Sequence, residues 1–270
     1  MKLNFFKTHV CGNDYIYLDL NNNCPNFVKK NAPSIAKRLS QNHFSIGADG
    51  LVLIDKENDD YKMTIYNRDG TLAKMCGNAL CSVGWYLLNK YGKNSININT
   101  GSGFKRVFLD VKRGKNYVVA QMDMPKICHY KAHQIYNKNK CKYVDLGICH
   151  AFIDVGNPHL VILQKTLDNG LIAPFLTKTD HIFDGINVEF CQIDEKGQIF
   201  VKVYERGCGE TLCCGTGAVA TFYFLNKMGY IANQAHLNFS GGKAFVFCDD
   251  KKIYLSQKVD FVFKGEVDFD

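Results

Sequence analysis

Two cysteines in this sequence share a local pattern that suits proton transfer. The segments YNRDGTLAKMCGN and YERGCGETLCCGTGA both open on Tyr-x-Arg, and Cys76 and Cys214 follow that opening at the same distance. Each cysteine is followed by a glycine, Gly77 or Gly215. A thiolate can remove the α-proton of an amino acid while a thiol returns one. Two such residues on opposite sides of one carbon would therefore invert its configuration.

Both cysteines are predicted to lie at the first turn of a helix. Unpaired N–H groups and the positive dipole end stabilise a thiolate there, so we expect a thiol pKa below its usual value of about 8.5. The successive amides of Gly77, Asn78, Gly215 and Thr216 then form an anion site that suits a carboxylate. The same amides would stabilise carbanionic charge that develops beside that carboxylate.

The surrounding elements repeat as well. Gly12-Asn13-Asp14-Tyr15 matches Gly156-Asn157-Pro158-His159, and the run from Trp85 to Gly92 matches the run from Phe222 to Gly229. Each half has short strands rich in Val, Ile, Phe and Tyr, a polar loop ending in Cys-Gly, and a glycine-capped helix of about 13 residues. We predict an α+β fold of two pseudo-symmetric, β-rich, barrel-like domains, each around a central helix, with the active site in the cleft between them.

The boundary between the halves falls in one of two polar stretches. One runs from Lys112 to Asn116, which also fits a hairpin turn, and the other runs from Pro125 to Lys142. The division that we predict places residues 1–119 and a strand at about 260–270 in the first domain, and residues 120–259 in the second.

Composition limits the classes of function. The chain has 270 residues, of which 46% are hydrophobic and 22% charged, as in an ordinary globular protein. No apolar run approaches the roughly 18 to 20 residues of a membrane helix, and the N-terminal stretch resembles a strand rather than a signal peptide. We therefore expect a cytoplasmic protein. The formal charge of +7 comes from scattered lysines, a pattern that argues against nucleic acid as a partner.

The twelve cysteines raise the possibility of zinc or disulfides, but no CxxC pair occurs. A phosphate loop of the GxxxxGK[ST] type is missing too, as is a His/Asp/Glu cluster at ligand spacing. We expect no metal, no cofactor, and a small amino acid as the substrate. Most of the other cysteines are expected to be reduced and buried.

The motifs HVCGNDYIYLD, HFSIGADG, YNRDGTLAKMCGN, GNPH, INVEF and YERGCGETLCCGTGA resemble those of the diaminopimelate epimerase family, in the same order along nearly the whole chain. The resemblance implies a homodimer that interconverts LL- and meso-2,6-diaminopimelate without pyridoxal phosphate, for lysine and cell-wall precursor synthesis. It implies that Cys76 and Cys214 are the catalytic thiols and that His159 and Glu205 tune or orient them.

The resemblance also implies a set of substrate-binding residues: Asn13, Asn67, Gly77, Asn78, Asn157, Asn187, Glu205, Arg206, Gly215 and Thr216. Arg206 suits a distal carboxylate because its guanidinium binds one bidentately. The asparagines each offer a donor and an acceptor to a zwitterionic amino-acid end.

The first cysteine loop departs from the family pattern CGNGxRC. Ala79 stands where the second glycine is expected, Cys81 replaces the arginine, and Gly50 replaces a glutamine that touches substrate in some members. These departures bear on how strictly the substrate is selected. Two alternatives stay open: a racemase of another amino acid, such as histidine or a basic amino acid, on the same scaffold, and a cysteine-based metal-binding or redox-sensing protein.

Overall fold

The computed structural model of the protein describes residues 1–58, 60–128, 149–167 and 185–269. The chain divides into two compact units. The first comprises Met1–Gln121 and Ser256–Asp270, and the second comprises Met122–Leu255. The chain therefore leaves the first unit, builds the second, and then returns to the first.

The first unit contains two α-helices and a series of short strands. A 3₁₀ turn (Leu20–Asn22) precedes helix α1 (Pro25–Leu39), and helix α2 spans Gly77–Tyr91. The strands are β1 (Lys2–Val10), β2 (Asn13–Asp19), β3 (Gly50–Glu57), β4 (Asp60–Asn67), β5 (Leu72–Ala73), β6 (Ser95–Thr100), β7 (Gly103–Leu109) and β8 (Tyr117–Met122).

The second unit has one α-helix among the residues that the structure describes, α3 (Gly215–Lys227). Its strands are β9 (Lys126–Cys128), β10 (Cys149–Asp154), β11 (Pro158–Leu163), β12 (Asn187–Ile193), β13 (Ile199–Glu205), β14 (Gly209–Thr211), β15 (Gln234–Phe239) and β16 (Gly242–Cys248). The chain returns to the first unit within β17 (Ile253–Lys258) and ends there with β18 (Asp260–Asp268).

The two units repeat one order of strand pairing. In the first, β1–β2 is antiparallel, β2–β3 parallel, β3–β4 and β4–β5 antiparallel, β4–β6 parallel and β6–β7 antiparallel. In the second, the same series runs β10–β11, β11–β12, β12–β13, β13–β14, β13–β15 and β15–β16. A further antiparallel neighbour lies beside the first strand of each series, β18 on β1 and β9 on β10. The predicted fold of two β-rich halves is confirmed.

Each unit packs its strands around a buried helix. Helix α2 contacts β1, β6 and β7, and α3 contacts β10, β11, β12 and β16. All eight residues from Gly77 to Gly84 are buried, as are all eight from Gly215 to Phe222. A helix that is buried on every side at its start has no solvent face, which is why these stretches lack charged residues.

The ends of the central helices agree with the expected glycine caps. Helix α2 is capped by Gly92 in the left-handed conformation, with φ of 62°, and the Gly92 N–H bonds to the carbonyl of Leu88. Helix α3 is capped by Met228, and Gly229 follows with φ of 78°. Glycine adopts this conformation without the steric cost of a Cβ, so each helix stops at a defined residue.

Helix α1 goes beyond the predicted pattern of one helix per half. Its buried residues Val28, Ala32, Ile35, Ala36 and Leu39 lie on one face at helical spacing, and Pro25 occupies its first turn. They pack with Leu3, Ile16 and Leu18 in the core of the first unit. In the second unit, residues 168–184 of the stretch between β11 and β12 lie outside the described residues.

Of the two stretches predicted as possible boundaries, the first is a turn within a hairpin, and the second lies partly outside the described residues. The stretch Lys112–Asn116 is a hairpin turn, because β7 pairs with β8 and the Asp110 N–H bonds to the Tyr117 carbonyl at 2.8 Å. The stretch Pro125–Lys142 extends into residues 129–148, which lie outside the described residues.

Candidate active site

Cys76 is the N-cap residue of α2. Its backbone is extended, with φ of −139° and ψ of 122°, and its side chain is half-buried. The thiol donates to the Asn13 side-chain oxygen at 3.7 Å. Asn13 opens β2, so the turn between β1 and β2 brings this amide to the start of the helix. The predicted position of Cys76 at the first turn of a helix is confirmed.

Two asparagines and a tyrosine surround the Cys76 thiol. Asn78 Nδ2 donates to Asn13 Oδ1 at 3.3 Å, and Asn13 Nδ2 donates to Asp49 at 3.0 Å. Asn78 is 2% exposed, and its Oδ1 has no hydrogen-bond partner among the described residues. Burial and the neighbouring Cys76 raise the pKa of the Tyr15 hydroxyl, which keeps Tyr15 neutral. Asn13 and Tyr15 beside the thiol are thus neutral polar groups, and the carboxylate of Asp49 lies one hydrogen bond further away.

Cys214 is the N-cap residue of α3, also with extended backbone, and is 6% exposed. Its sulfur accepts from the Gly217 N–H at 3.3 Å and lies 3.3 Å from the Thr216 hydroxyl. The helix start thus directs one backbone donor at the sulfur, as the helix-end argument requires. The predicted position of Cys214 is confirmed too.

The pKa of Cys214 moves in the direction opposite to that expected from its place at the helix start. Burial raises it well above the usual value, and the carboxylates of Glu205 and Glu189 raise it further. The bonds from Thr216 and Gly217 lower it without compensating for the burial. The expectation of a lowered thiol pKa is wrong for Cys214, because desolvation of the thiolate outweighs the helix-end donors.

Glu205 lies at the end of β13 beside Cys214. Its carboxylate accepts from the Thr211 hydroxyl at 2.6 Å and contacts the Cys214 thiol. Burial raises the pKa of Glu205, and the charge of Glu189 adds to this, whereas the bond from Thr211 opposes it. A carboxyl group with a raised pKa can hold or release a proton closer to neutral pH than an exposed one.

His159 is buried in a pair with Glu189. The His159 Nδ1 lies 2.7 Å from Glu189 Oε1, and both side chains are 0% exposed. The parallel pairing of β11 with β12 sets His159 opposite Asn187, so that Glu189, two residues further along, projects from the same face. On its other side, His159 Nε2 lies 3.2 Å from the Asn157 side-chain oxygen.

The other substrate-binding residues that the family resemblance implies are distributed over both units. Asn157 Nδ2 donates to the Thr216 hydroxyl at 3.5 Å, and Asn187 Oδ1 accepts from the Arg206 backbone N–H at 2.9 Å. The Arg206 side chain is exposed. Asn67, at the end of β4, is exposed and donates to Thr71 at 3.0 Å. Gly77 and Gly215 are the first residues of α2 and α3.

The predicted site residues therefore fall into two groups, one in each unit. In the first unit, Cys76, Asn13 and Asn78 form one connected set, with Gly77 adjoining it and Asn67 at a separate strand end. In the second unit, Cys214, Thr216, Asn157, His159 and Glu205 form another set with Gly215, and Asn187 holds the backbone of Arg206.

The most important residue that sequence reasoning missed is Glu189. It stands in the motif INVEF, within a strand whose first five residues are all buried. A carboxylate in such a run is costly unless it is paired, and that isolated charge among apolar neighbours was the available signal. Asp49, Thr211 and Gly217 were missed as well, because only the fold brings them to the site residues.

No group of three or more His, Cys, Asp or Glu side chains in the described ranges is arranged to hold a metal ion. Within the same ranges, no helix has the length and apolar character needed to cross a membrane.

A family model and several full-length relatives of this chain carry the same name. A family model described as diaminopimelate epimerase matches residues 5–128 and 151–262. Proteins named diaminopimelate epimerase from Methanococcus maripaludis and Acetivibrio thermocellus are 35% and 34% identical, over 98% of this chain and 100% and 99% of theirs. One from Rickettsia prowazekii is 30% identical over 98% of this chain and 97% of its own.

Solved structures with the same fold are more distant in sequence. A predicted epimerase from Pseudomonas aeruginosa has a TM-score of 0.77 at 12% identity, covering 99% of this chain and 100% of its own. A PhzF-family phenazine biosynthesis protein from Bacillus anthracis has a TM-score of 0.74 at 16% identity and full coverage of both chains. At these identities the likeness concerns the fold. On the strength of the family model and its full-length relatives, the chain is an isomerase that belongs to the diaminopimelate epimerase family.

Proposed function

We propose that this chain interconverts LL- and meso-2,6-diaminopimelate without a cofactor, in support of lysine and cell-wall precursor synthesis. The observation that carries the proposal is the equivalent placement of Cys76 and Cys214, each the N-cap of the central helix of its unit. The names of the full-length relatives support the substrate.

In this mechanism one cysteine, as the thiolate, removes the α-proton, and the other, as the thiol, protonates the opposite face of the carbon. The electron pair of the broken C–H bond passes into the α-carboxylate, which gains charge. The backbone amides of Gly77, Asn78, Gly215 and Thr216 receive that carboxylate, because the first N–H groups of a helix have no partner within it. The Oδ1 of Asn78, which has no hydrogen-bond partner in the part of the chain that the structure describes, suits the α-ammonium group.

Recognition of the second amino-acid end is assigned to Arg206, Asn67, Asn157 and Asn187. Arg206 is exposed, and its backbone N–H is held by the side chain of Asn187. A guanidinium binds a carboxylate with two parallel hydrogen bonds, which selects a substrate that carries a distal carboxylate. His159 and Glu205 act by orienting and tuning the Cys214 side of the site.

The test is proton exchange in deuterated water. Purified, reduced protein is incubated with LL-diaminopimelate, and loss of the α-proton signal and appearance of the meso isomer are followed by NMR. Exchange with diaminopimelate is expected, and none with histidine or lysine. Exchange with histidine or lysine but not with diaminopimelate would replace the proposal with a racemase of another amino acid on this scaffold.

Variants test the two-thiol mechanism. Cys76→Ser and Cys214→Ser should each lower epimerisation by about 10³-fold or more, because a hydroxyl is a far weaker acid than a thiol. Cys24→Ser is the matched control, since Cys24 is also the N-cap of a helix, α1, but is exposed. Full turnover by either catalytic variant, or an equal loss in the control, contradicts the mechanism.

We further propose that the chain acts as a homodimer, as the family resemblance implies. Strand β18 supports this because Phe261, Val262 and Phe263 are 47%, 46% and 41% exposed in a row, an apolar surface of the kind that interfaces cover. Sedimentation of the native chain should give the mass of two copies, and Val262→Glu should shift it toward one. A monomeric native chain contradicts this proposal.

A further inference from the structure

A chain of side-chain contacts runs from Glu189 to the sulfur of Cys214. The links are Glu189 Oε1 to His159 Nδ1 at 2.7 Å, His159 Nε2 to Asn157 Oδ1 at 3.2 Å, Asn157 Nδ2 to Thr216 Oγ1 at 3.5 Å, and Thr216 Oγ1 to Cys214 Sγ at 3.3 Å. The buried end of this chain is the carboxyl group of Glu189, which is 0% exposed.

Burial limits where the protons can lie at that end. An unpaired carboxylate or imidazolium at 0% exposure is costly, so Glu189 and His159 are stable together as a pair of zero net charge that shares one proton across the Nδ1–Oε1 contact. In either form of such a pair, His159 Nε2 carries its own hydrogen. It can therefore donate to the amide oxygen of Asn157, which faces it.

This donation fixes the direction of every later bond. With its oxygen bound to His159, Asn157 directs its NH₂ group at the Thr216 hydroxyl oxygen. The hydroxyl oxygen is then an acceptor on that side, and its hydrogen is left to point at Cys214. The sulfur consequently receives two donors, the Thr216 hydroxyl and the Gly217 N–H.

We propose that Glu189 is a positioning residue, which acts through His159, Asn157 and Thr216 to direct the Thr216 hydroxyl at the sulfur of Cys214. The proposal rests on the proposed function in that Cys214 is taken as an acid–base group. A glutamine at position 189 has no proton to share with His159. With its amide oxygen facing Nδ1, as Oε1 of Glu189 does, it leaves His159 neutral with its hydrogen on Nδ1. Its Nε2 then accepts, the Asn157 amide reverses, and the Thr216 hydroxyl donates to Asn157 instead of to the sulfur.

Two roles for Glu189 can be told apart by whether its removal favours or disfavours the thiolate of Cys214. The charged groups that act on this thiol are the carboxylates of Glu205 and Glu189. The imidazole of His159 acts on Glu205. If Glu189 acted only as a nearby negative charge, its removal would favour the thiolate. If it directs the Thr216 hydroxyl, its removal takes a donor from the sulfur and disfavours the thiolate.

The experiment measures the pH dependence of Cys214 alkylation by iodoacetamide, resolved from the other cysteines by fragment-ion mass spectrometry. Glu189→Gln should move the alkylation midpoint up by about 0.5 to 1 pH unit, which is roughly three- to tenfold slower alkylation at a fixed pH below the midpoint. The matched control is Glu195→Gln, which removes the same charge at an exposed turn after β12. An unchanged or lowered midpoint in Glu189→Gln overturns the proposal.

A double-mutant cycle separates the relay from a general disturbance of the core. On a Thr216→Val background the hydroxyl is gone, so adding Glu189→Gln should shift the midpoint by less than about 0.2 pH unit. A full additional shift shows that Glu189 does not act through Thr216 and overturns the proposal. None of these measurements uses a substrate, so they stand or fall separately from the diaminopimelate assay.

A second measurement uses the unchanged protein, in case Glu189→Gln does not fold. In a sample labelled with ¹⁵N at histidine, the His159 signals are identified by their loss in His159→Gln. The nitrogen shift of Nε2 should be that of a protonated ring nitrogen at neutral pH. An unprotonated Nε2 contradicts the direction of the relay.

Discussion

At Gly217, the third residue of α3, the chain makes room for a carboxylate. A Cβ built there would lie 2.5 Å from Glu189 Oε1 and 3.2 Å from the Cys214 Cβ. The first distance is far below van der Waals contact and the second is tight. Only glycine therefore lets Glu189 approach the helix start this closely. The equivalent residue of the first unit, in the loop CGNALC, is Ala79.

The departure at Ala79 has a counterpart elsewhere in the first unit. Because His159 pairs with Asn187 as Tyr15 pairs with Gly50, the position equivalent to Glu189 is Val52. The first unit thus has a valine and an alanine where the second has a glutamate and a glycine. Ala79 therefore has no buried carboxylate opposite it of the kind that Gly217 accommodates.

Gly217→Ala should destabilise the protein and disturb Cys214. The added methyl group forces Glu189 to shift, so the free energy of unfolding in urea should fall by about 1 to 3 kcal/mol, the usual cost of overpacking a core. The Cys214 alkylation rate should change as well, since the Gly217 N–H bonds to its sulfur.

The control for this variant is a double-mutant cycle. Glu189→Val lowers stability by itself because it leaves the buried His159 without its carboxylate partner, so the cost of Gly217→Ala is measured again on that background. With the carboxylate gone, equilibrium unfolding should show that Gly217→Ala costs less than about 0.5 kcal/mol there. If Gly217→Ala costs as much on the Glu189→Val background as in the wild type, the contact with Glu189 is not the source of the loss.

Among elements, the end of β2 and the end of α2 are joined through one buried carboxylate. Asp19 accepts from Lys90 at 2.6 Å, from the Tyr86 hydroxyl at 2.8 Å, and from the Asn21 backbone at 2.9 Å. Burial alone would raise the pKa of Asp19, but the bonds from Lys90, Asn21 and Tyr86 outweigh it and the pKa is lowered. Lys90 lies in the last turn of α2, where its positive charge is favourable at the negative end of the helix dipole. It thus has a second role, because it also pairs with Asp19 of a neighbouring strand.

Asp19→Asn should lower the free energy of unfolding by about 1 to 3 kcal/mol at neutral pH, because charge-assisted bonds are lost. A carboxyl whose folded pKa is depressed contributes stability above its unfolded pKa of about 3.9 and loses it as pH falls through the folded value. The difference between wild type and Asp19→Asn should therefore be constant from pH 5 to 7, as measured in urea, and shrink below about pH 4.

The control for the Asp19 variant is Asp250→Asn, which removes a carboxylate from an exposed bend. Surface substitutions of this kind usually change stability by less than about 0.5 kcal/mol. A loss at Asp19→Asn that persists unchanged into acid contradicts the pairing of Asp19 with Lys90 as its cause.

The sequence predicts the elements more completely than the contacts between them. The short strands rich in Val, Ile, Phe and Tyr are present in both halves as predicted, and the Cys-Gly starts and glycine ends define α2 and α3. Helix α1 was missed because Pro33 interrupts its pattern and no repeat pointed to it. The Glu189–His159 pair was missed because it depends on which strands are neighbours, and a parallel neighbour is not visible in local sequence.

For the molecule as a whole, the first unit depends on a distant part of the chain. Strand β18 pairs with β1 from Lys2 opposite Asp268 to His9 opposite Asp260. Met1 and Phe269 exchange two further bonds at 3.0 and 2.7 Å, and Lys2 pairs with Glu266 at 2.6 Å. Phe5 and Phe263 stack edge to face across this pair of strands.

Deletion of residues 256–270 should therefore unfold the first unit. The loss of a whole strand exceeds the roughly 5 kcal/mol that stabilises a small domain, so circular dichroism should show an early transition and epimerisation should vanish. A peptide of residues 256–270 added to the truncated chain is the control, and it should restore activity by adding the missing strand. A truncated chain with the native melting temperature contradicts this account.

The return of β18 to β1 also sets the order in which the protein can be completed during translation. Residues 122–255 leave the ribosome as one continuous stretch, so the second unit has all its strands while the partner of β1 is still unmade. At about 5 to 20 residues per second, the second unit takes roughly 7 to 27 seconds to synthesise, and the first unit waits that long with one edge of its first strand uncovered. The first unit is synthesised first but completed last. Its incomplete form, without β18, is the state that chaperones are expected to bind.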